Sequence, residues 1–277
     1  MIPVRTLARE FRVHLDCSHA ARVMDYIRTD PSICGTTADV IDLTVERAGK
    51  FYRLALPDGS VVEGTAPHLL DAMHRVALAA FIEEVPGAPL IHAGGIRIDE
   101  VPLLLIGAKG AGKTTLTLHL IEQGYVVEGD EHVAARETDL IARPRTLRIK
   151  ADSVRFAPTL AGRIRGAPFV KEWNDLPIYS VSPTIGGHPW RIATMRRPAL
   201  VFLEPNYGGH SVAKPASVDR AFALLLARSL LPGEKAAAVA RLRSVARGAQ
   251  AWEMSLGDLD GAEMHLKRIA RSVRNAH

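Results

Sequence analysis

Apolar and polar residues alternate in two stretches near the amino terminus, residues 11–17 and 41–47. An alternation with a period of two places the apolar side chains on one face, so it predicts half-buried strands. Residues 51–56 and 60–64 flank Pro57-Asp58-Gly59, and an Asp-Gly turn between two such segments predicts a β-hairpin. The first part of the chain is therefore expected to contain a small sheet.

A helical spacing follows, because apolar residues recur every three or four positions over residues 67–84. This spacing predicts an amphipathic helix, and residues 19–28 favour a helix as well. The segment Val85-Pro86-Gly87-Ala88-Pro89 then interrupts the pattern, since proline and glycine end regular elements. We predict a smaller N-terminal α+β domain over residues 1–88, with substrate recognition as its role, and a second domain over residues 89–277.

The second domain has the pattern of an α/β unit. Residues 101–106 form an unbroken apolar run, which is typical of a strand buried on both faces of a sheet. A glycine-rich loop follows, then a predicted helix over residues 113–123 and a predicted strand over residues 125–129. The remaining segments predict strands at residues 90–92, 95–98 and 199–203 and helices at residues 219–231, 234–247 and 262–274.

The composition is that of a globular protein. Of the 277 residues 47% are hydrophobic and 23% are charged, and no apolar run approaches the ~18–20 residues of a membrane span. The amino terminus lacks the apolar segment of a secretory signal, and Cys17 and Cys34 are expected to be reduced thiols. Aromatic residues make up 5% of the chain, too few for base stacking. We therefore expect a cytoplasmic protein that binds neither membranes nor nucleic acid.

One motif carries most of the chemical information. The spacing of a phosphate-binding loop is found in Gly107-Ala108-Lys109-Gly110-Ala111-Gly112-Lys113-Thr114. Glycines permit positive φ, so successive N–H groups can point at phosphate oxygens, and the following helix adds free N–H groups. We expect residues 107–115, including Thr115, to bind a nucleoside triphosphate, with Lys113 at the β- and γ-phosphates and Thr114 at Mg²⁺. The net charge of +5 suits an anionic ligand.

Two carboxylates end the strand that follows the loop and its helix. Asp130 stands where a protein with such a loop can hold Mg²⁺ or orient a nucleophile, and Glu131 adds a second acid. An acidic strand end that only caps a turn is the alternative interpretation. His92 precedes the loop near a predicted strand end, where a histidine taken alone is more often structural.

Three groups of residues around the loop carry a family resemblance. They are Ile91-His92-Ala93-Gly94-Gly95, the loop with the strand before it, and Gly129-Asp130-Glu131. Together they resemble the catalytic domain of HPr kinase/phosphorylase and of related serine kinases, including lasso-peptide tailoring kinases. The resemblance implies an α/β fold with a P-loop kinase domain of the HPr kinase/PEP carboxykinase-like type. It also implies a catalytic set of Asp130, His92, Lys113 and Glu131, with Thr114 and Asp130 as metal ligands.

By this resemblance the chain is expected to be a kinase that uses ATP and Mg²⁺ to phosphorylate a serine hydroxyl on a peptide or small protein. Asp130 would accept the hydroxyl proton, a role that His92 could also take. Two alternatives stay open: a kinase of a small hydroxylated metabolite, and an ATPase or switch without an acceptor. A homo-oligomer is compatible with the resemblance, and phosphorylase activity stays open because residues 145–150 replace the family's glycine-rich signature.

Basic residues after the acidic pair allow two interpretations. Arg143, Arg148 and Lys150 are candidate cations for a transition state, or else solvated surface charges. Residues 151–197 have a proline and glycine content that favours loops over regular elements, and we expect this region to close over the acceptor.

Overall fold

The computed structural model describes residues 1–15, 18–29, 39–171, 175–188 and 194–276. These residues form a mixed α/β structure in which the strands belong to several separate sheets. Cys17 and Cys34, expected to be reduced thiols, lie outside the described residues. Within the described ranges, every helix is either too short or too polar to span a bilayer.

The strands nearest the amino terminus form one five-stranded sheet in chain order. These strands are β1 (Ile2–Arg5), β2 (Arg9–Leu15), β3 (Asp39–Ala48), β4 (Phe51–Ala55) and β5 (Val61–Gly64). Strands β2 and β3 are parallel, and the other neighbouring strands are antiparallel. The pairing of β4 with β5 confirms the predicted hairpin, and Gly59 takes a φ of 82° in its turn. That backbone conformation is the one for which Asp-Gly turns are favoured.

Two helices cover this sheet. Helix α1 (Ser18–Met24) is shorter than the predicted helix and tightens into a 3-10 turn at Asp25–Ile27. Helix α2 (Ala66–Glu84) confirms the amphipathic prediction, because its residues Leu69 and Met73 are buried in one core with Phe11 of the sheet. The first sheet and these helices thus share a hydrophobic core of their own.

The remaining described elements follow α2 in the chain. The helices are α3 (Lys113–Glu122), α4 (Ala161–Arg165), α5 (Val218–Ala227), α6 (Lys235–Gly248) and α7 (Leu259–Asn275). The strands are β6 (Leu90–Ile98), β7 (Val101–Ile106), β8 (Val126–Gly129), β9 (His132–Ala135), β10 (Leu140–Ala142), β11 (Leu147–Lys150), β12 (Phe169–Lys171), β13 (Pro177–Val181), β14 (Thr194–Met195), β15 (Ala199–Pro205), β16 (Val212–Pro215), β17 (Ser229–Leu230) and β18 (Ala251–Leu256).

The largest sheet has the strand order β14-β10-β9-β6-β7-β15-β18-β16, with β8 and β17 also paired to β6. Strands β7, β15 and β18 run parallel at its centre. Leu103 and Leu105 of β7 belong to a core shared with α3 and α7, whereas Leu104 and Ile106 belong to a core shared with α5 and α6. Strand β7 is therefore buried on both faces, as its unbroken apolar run predicts.

Two predicted elements differ from the structure near β6. The short strands predicted at residues 90–92 and 95–98 form one continuous strand, with a register shift between Gly95 and Ile96 where it pairs with β8. The helix predicted over residues 219–231 ends at Ala227, because Ser229 and Leu230 pair with β6 instead. Pairing with a strand that is distant in sequence overrides the local helical spacing here.

Residues 151–197 contain more regular structure than the loops that their composition predicts. Strand β13 lies between β11 and β12 in an antiparallel three-stranded sheet, and α4 and β14 lie in the same region. This sheet contacts the N-terminal part of the chain, since Ser180 Oγ donates a hydrogen bond to the carbonyl oxygen of Tyr26 and Ile178 packs against the first core. Partner strands far along the chain stabilise these short elements, which local sequence does not reveal.

Candidate functional site

The glycine-rich loop joins β7 to α3, as the sequence predicts. Gly110 and Gly112 have φ values of 86° and 88°, a left-handed conformation that glycine adopts without steric cost. Gly112 caps helix α3, so the N–H groups of the first helical turn lack partners within the helix. A loop of this shape at a helix amino terminus provides backbone donors and a partial positive charge for an anion.

Close packing explains two of the glycines. A Cβ atom on Gly107 would lie 2.8 Å from Ala111 Cβ and 3.0 Å from the carbonyl oxygen of Leu203. A Cβ atom on Gly112 would lie 2.6 Å from Leu256 Cδ2. All three distances are shorter than ordinary van der Waals contacts, so the loop can lie this close to β15 and β18 because these positions lack side chains.

Lys113 places its ammonium group over the backbone of this loop. Its Nζ atom donates hydrogen bonds to the carbonyl oxygens of Gly107, at 2.8 Å, and Ala108, at 3.0 Å. The side chain is buried, and burial is the main reason that the pKa of Lys113 falls to about 8. Asp130 raises this pKa, and Arg228 lowers it further. The loop therefore holds a cation against its own backbone carbonyls.

The other predicted residues of the loop differ in exposure. Lys109 and Gly110 are exposed, Ala111 is buried, and Thr114 and Thr115 are half-buried at the start of α3. The Thr115 hydroxyl group lies 3.2 Å from Ser153 Oγ. Tyr207, which sequence analysis did not single out, donates a hydrogen bond from its hydroxyl group to the carbonyl oxygen of Gly110 and leaves its ring exposed.

Asp130 and Glu131 follow β8 and have different surroundings. Asp130 is buried, and burial raises the pKa of its carboxyl group, while Arg145, Lys113 and Arg148 oppose that rise. Glu131 has a φ of 66°, which is unusual for a residue with a side chain, and its carboxylate forms an ion pair with Arg145. The two neighbouring acids are thus a buried carboxyl group and a half-buried carboxylate that already has a cationic partner.

Two histidines lie opposite each other beside these acids. His92 of β6 is in register with His132 of β9, a residue that sequence analysis missed. Burial is the main reason that the pKa of each falls to about 4; Lys113 adds to the effect at His92 and Arg143 adds to it at His132. Both imidazoles are therefore neutral at neutral pH, and the signal for His132 was its place directly after the acidic pair.

The structure brings the predicted residues Lys113, Asp130, Glu131 and His92 into one cationic region. Arg145 and Arg228, which sequence analysis did not select, belong to the same region, because Arg145 acts on the pKa of Asp130 and Arg228 on that of Lys113. The predicted cations differ in exposure: Arg143 is buried, Arg148 is half-buried, and Lys150 is exposed at the end of β11. The region can bind an anion and can hold or release a proton at Asp130.

Comparison with known proteins finds a partial similarity to proteins that are not named as kinases. No family model matches the chain. Two curated relatives, from Burkholderia mallei (strain SAVP1) and Burkholderia pseudomallei (strain 1106a), carry the name S-adenosylmethionine:tRNA ribosyltransferase-isomerase. Each is 32% identical over 101 residues, which cover 32% of this chain and 28% of the relative. The similarity thus spans little more than a quarter of the relatives' length.

These names contradict several expectations drawn from the sequence. They give S-adenosylmethionine and tRNA where the resemblance to the HPr kinase family implied ATP, Mg²⁺ and a peptide or small-protein substrate without nucleic acid. The serine kinase assignment is therefore wrong, and so are the metabolite kinase and the ATPase or switch. The physical reason is that a glycine-rich loop before a helix defines an anion site, while the reaction depends on residues outside the loop.

Proposed function

We propose that residues 107–115 bind a phosphate group of an RNA ligand and that the chain acts on RNA. The observation that carries this proposal is the loop itself, with left-handed Gly110 and Gly112 before α3 and with Lys113 Nζ held at the loop carbonyls. Such a loop fits a phosphate group, because backbone N–H donors, the helix dipole and an ammonium group all favour one anion. RNA is the ligand class that the relatives' name supports.

Charge around the loop supports the same ligand. Arg145, Lys113 and Arg148 oppose the rise in the pKa of Asp130 that burial causes, and Arg228 acts on the pKa of Lys113. A cationic region of this kind attracts the phosphates of a nucleic acid and makes binding depend on salt. Base stacking is not required for such binding, so the low aromatic content is compatible with it.

The candidate reaction is the ribosyl transfer to tRNA that the relatives' name describes. S-adenosylmethionine contains no phosphate group, so the glycine-rich loop suits the RNA and not this donor. In our proposal Asp130 holds or moves a proton, since burial raises its pKa toward the range in which a carboxyl group can act as an acid or base. Neutral His92 is the second candidate for that task, and Glu131 positions Arg145 through its ion pair.

Within this proposal the fold is of the P-loop type, with β7, residues 107–112 and α3 as its phosphate-binding unit. Residues 1–88 form a separate N-terminal domain that contributes to substrate recognition, and residues 89–277 hold the site. The assignment of Thr114 and Asp130 as metal ligands stays a prediction. No step depends on it, because the cations around Asp130 oppose a divalent ion there.

The direct test is binding of fluorescently labelled tRNA by the full chain, measured over a range of salt concentrations. The variant Lys113→Ala is expected to weaken binding about tenfold and to reduce the slope of log K against log salt by about 1, as loss of one phosphate contact does. The matched control is Lys235→Ala, which removes an exposed lysine from the start of α6 and should leave both quantities unchanged.

Inorganic pyrophosphate should displace the tRNA from the wild-type chain but not alter the residual binding of Lys113→Ala. Equal tRNA affinity of the wild type and Lys113→Ala would overturn the role of the loop. If pyrophosphate binds while tRNA stays bound, the loop is a phosphate site, but RNA is not its ligand. Transfer itself is tested by mass analysis of tRNA nucleosides after incubation with S-adenosylmethionine, where Asp130→Asn should bind tRNA and fail to modify it.

A further inference from the structure

A small enclosed space lies between the N-terminal part of the chain and the segment before β11. Its volume is about 20 Å³, which accommodates one water molecule or one monatomic ion. Lining residues come from β1, from Ile27 and Thr29, from α2, and from residues 143–148, which lead into β11 and include its first residues. The polar lining includes Arg5, His74, Arg143, Arg145, Thr146 and Arg148.

Positive charge dominates this cavity. Four of the lining side chains are arginines, and the described residues of the lining include no aspartate or glutamate. Arg5 forms an ion pair with Glu10, and Arg145 forms one with Glu131, so two of the four have carboxylate partners outside the cavity.

The hydrogen-bond partners of Arg148 are uncharged, although Asp130 acts on its pKa from outside the cavity. Its Nη1 atom donates a hydrogen bond to the carbonyl oxygen of Tyr26 at 2.6 Å, and its guanidinium carbon lies 3.7 Å from the centre of the Tyr26 ring. Its Nη2 atom lies 3.4 Å from His74 Nε2. Burial and the neighbouring Arg148, Arg145 and Arg143 lower the pKa of His74 to about 3, so the ring is neutral and can accept this hydrogen bond.

Arg143 is the arginine whose charge is least compensated. Only 6% of the residue is exposed, and its Nε atom is buried without a hydrogen-bond partner. No carboxylate among the described residues forms an ion pair with it, and burial lowers the pKa of Arg143 to about 10. A buried guanidinium without a counter-charge is strongly unfavourable, so these surroundings favour an anion that the described residues do not provide.

We propose that this cavity binds a single monatomic anion, chloride in the cell, between Arg143 and its neighbouring arginines. The volume admits one such ion. A water molecule would fill the same space and accept a hydrogen bond from Arg143 Nε, but it would leave the net charge of the cluster uncompensated. The bound anion joins β1, α2 and the segment before β11, and it would stabilise the contact between the first sheet and the rest of the chain.

The test compares thermal unfolding in sodium chloride and in sodium gluconate at equal ionic strength. Chloride at ten times its dissociation constant is expected to raise the Tm of the wild type by about 3 °C relative to gluconate, because it binds only the folded state. Arg143→Met keeps the length of the side chain and removes its charge, so this difference should disappear. The matched control Arg163→Met changes an exposed arginine of α4 and should retain the full difference.

Crystals of the wild-type chain grown in sodium bromide provide a readout that does not depend on the variant folding. An anomalous peak in the cavity beside Arg143 is the expected result. The proposal is overturned if the cavity shows no bromide peak, or if chloride raises the Tm of Arg143→Met as much as that of the wild type. Both tests concern the cavity and not the phosphate loop, so their results do not depend on whether the chain binds RNA.

Discussion

Glu131 holds a left-handed backbone conformation, with a φ of 66°, while its carboxylate forms an ion pair with Arg145. The cost of the backbone conformation, about 1–2 kcal/mol, is offset by interactions that this conformation permits. Arg145 in turn lowers the pKa of Asp130, against the effect of burial, and it lines the arginine-rich cavity. One arginine thus links the strained residue, the buried acid and the cavity.

Replacing Arg145 should reveal this link. We expect Arg145→Met to lower the free energy of unfolding by about 1–3 kcal/mol, because Glu131 loses its ion pair and Asp130 loses a neighbouring cation. Urea denaturation measures the loss. Arg53→Met is the matched control, since it breaks the pair with Glu63 at the surface, and it should cost less than about 1 kcal/mol. If both variants lose the same free energy of unfolding, the contacts of Arg145 with Glu131 and Asp130 are not important for stability.

The strain at Glu131 can be separated from its ion pair by two substitutions. Glu131→Gln removes the charge and keeps the strained backbone, whereas Glu131→Gly removes the charge and relieves the strain. We therefore expect the glycine variant to be more stable than the glutamine variant by about 1 kcal/mol in urea denaturation. A glutamine variant that matches or exceeds the glycine variant would contradict the assignment of strain to this position.

Gly112 has both a left-handed backbone and a close neighbour. Alanine at this position would place its Cβ 2.6 Å from Leu256 Cδ2, whereas alanine at Gly187, with the same φ of 88°, would meet no atom within 4 Å. We expect Gly112→Ala to lower the free energy of unfolding by about 1 kcal/mol more than Gly187→Ala does, and to weaken tRNA binding as well. Thermal unfolding and the binding assay measure these effects, and similar stability losses in the two variants would exclude a steric role for Leu256.

The pH dependence of stability should report the buried His132. Its pKa is about 4 in the folded chain and near 6.5 when exposed, so the unfolded chain binds more protons between these values. Stability contributed by this residue is therefore present above about pH 6.5 and is lost as the pH falls toward 4. We expect His132→Asn to reduce the proton uptake on unfolding at pH 5 by about one, as measured from urea denaturation at closely spaced pH values.

Above pH 7.5 the imidazole is neutral in both states. The stability curves of the wild type and His132→Asn should therefore run parallel there, and this serves as the internal control. Curves that stay parallel down to pH 4 would show that His132 is protonated in the folded chain.

Local sequence predicted those parts of the fold that depend on local spacing. The β4–β5 hairpin and helix α2 follow from turn residues and from apolar periodicity, and both are confirmed. The join of β7 to α3 through the glycine-rich loop follows from the motif. These elements need no information from distant parts of the chain, because their turns, caps and apolar faces lie within a few residues of one another.

The elements that sequence analysis missed depend on contacts between distant residues. Strand β17 forms because Ser229 meets Ile91, and β13 forms because it lies against β11. At the site, Arg145 reaches Glu131 only through the turn that follows β10, and His132 faces His92 only through the pairing of β9 with β6. The reaction was misassigned for a similar reason, since the loop motif describes phosphate binding and not the groups around it.

Strand β7 also constrains which changes of length the chain can accept. Its alternate residues face two different hydrophobic cores, one with α3 and α7 and the other with α5 and α6. Insertion or deletion of one residue within Val101–Ile106 would exchange the two sets of side chains and shift the following loop by one strand position. Substitutions between apolar residues preserve both cores, so this strand is expected to accept changes of side chain far more readily than changes of length.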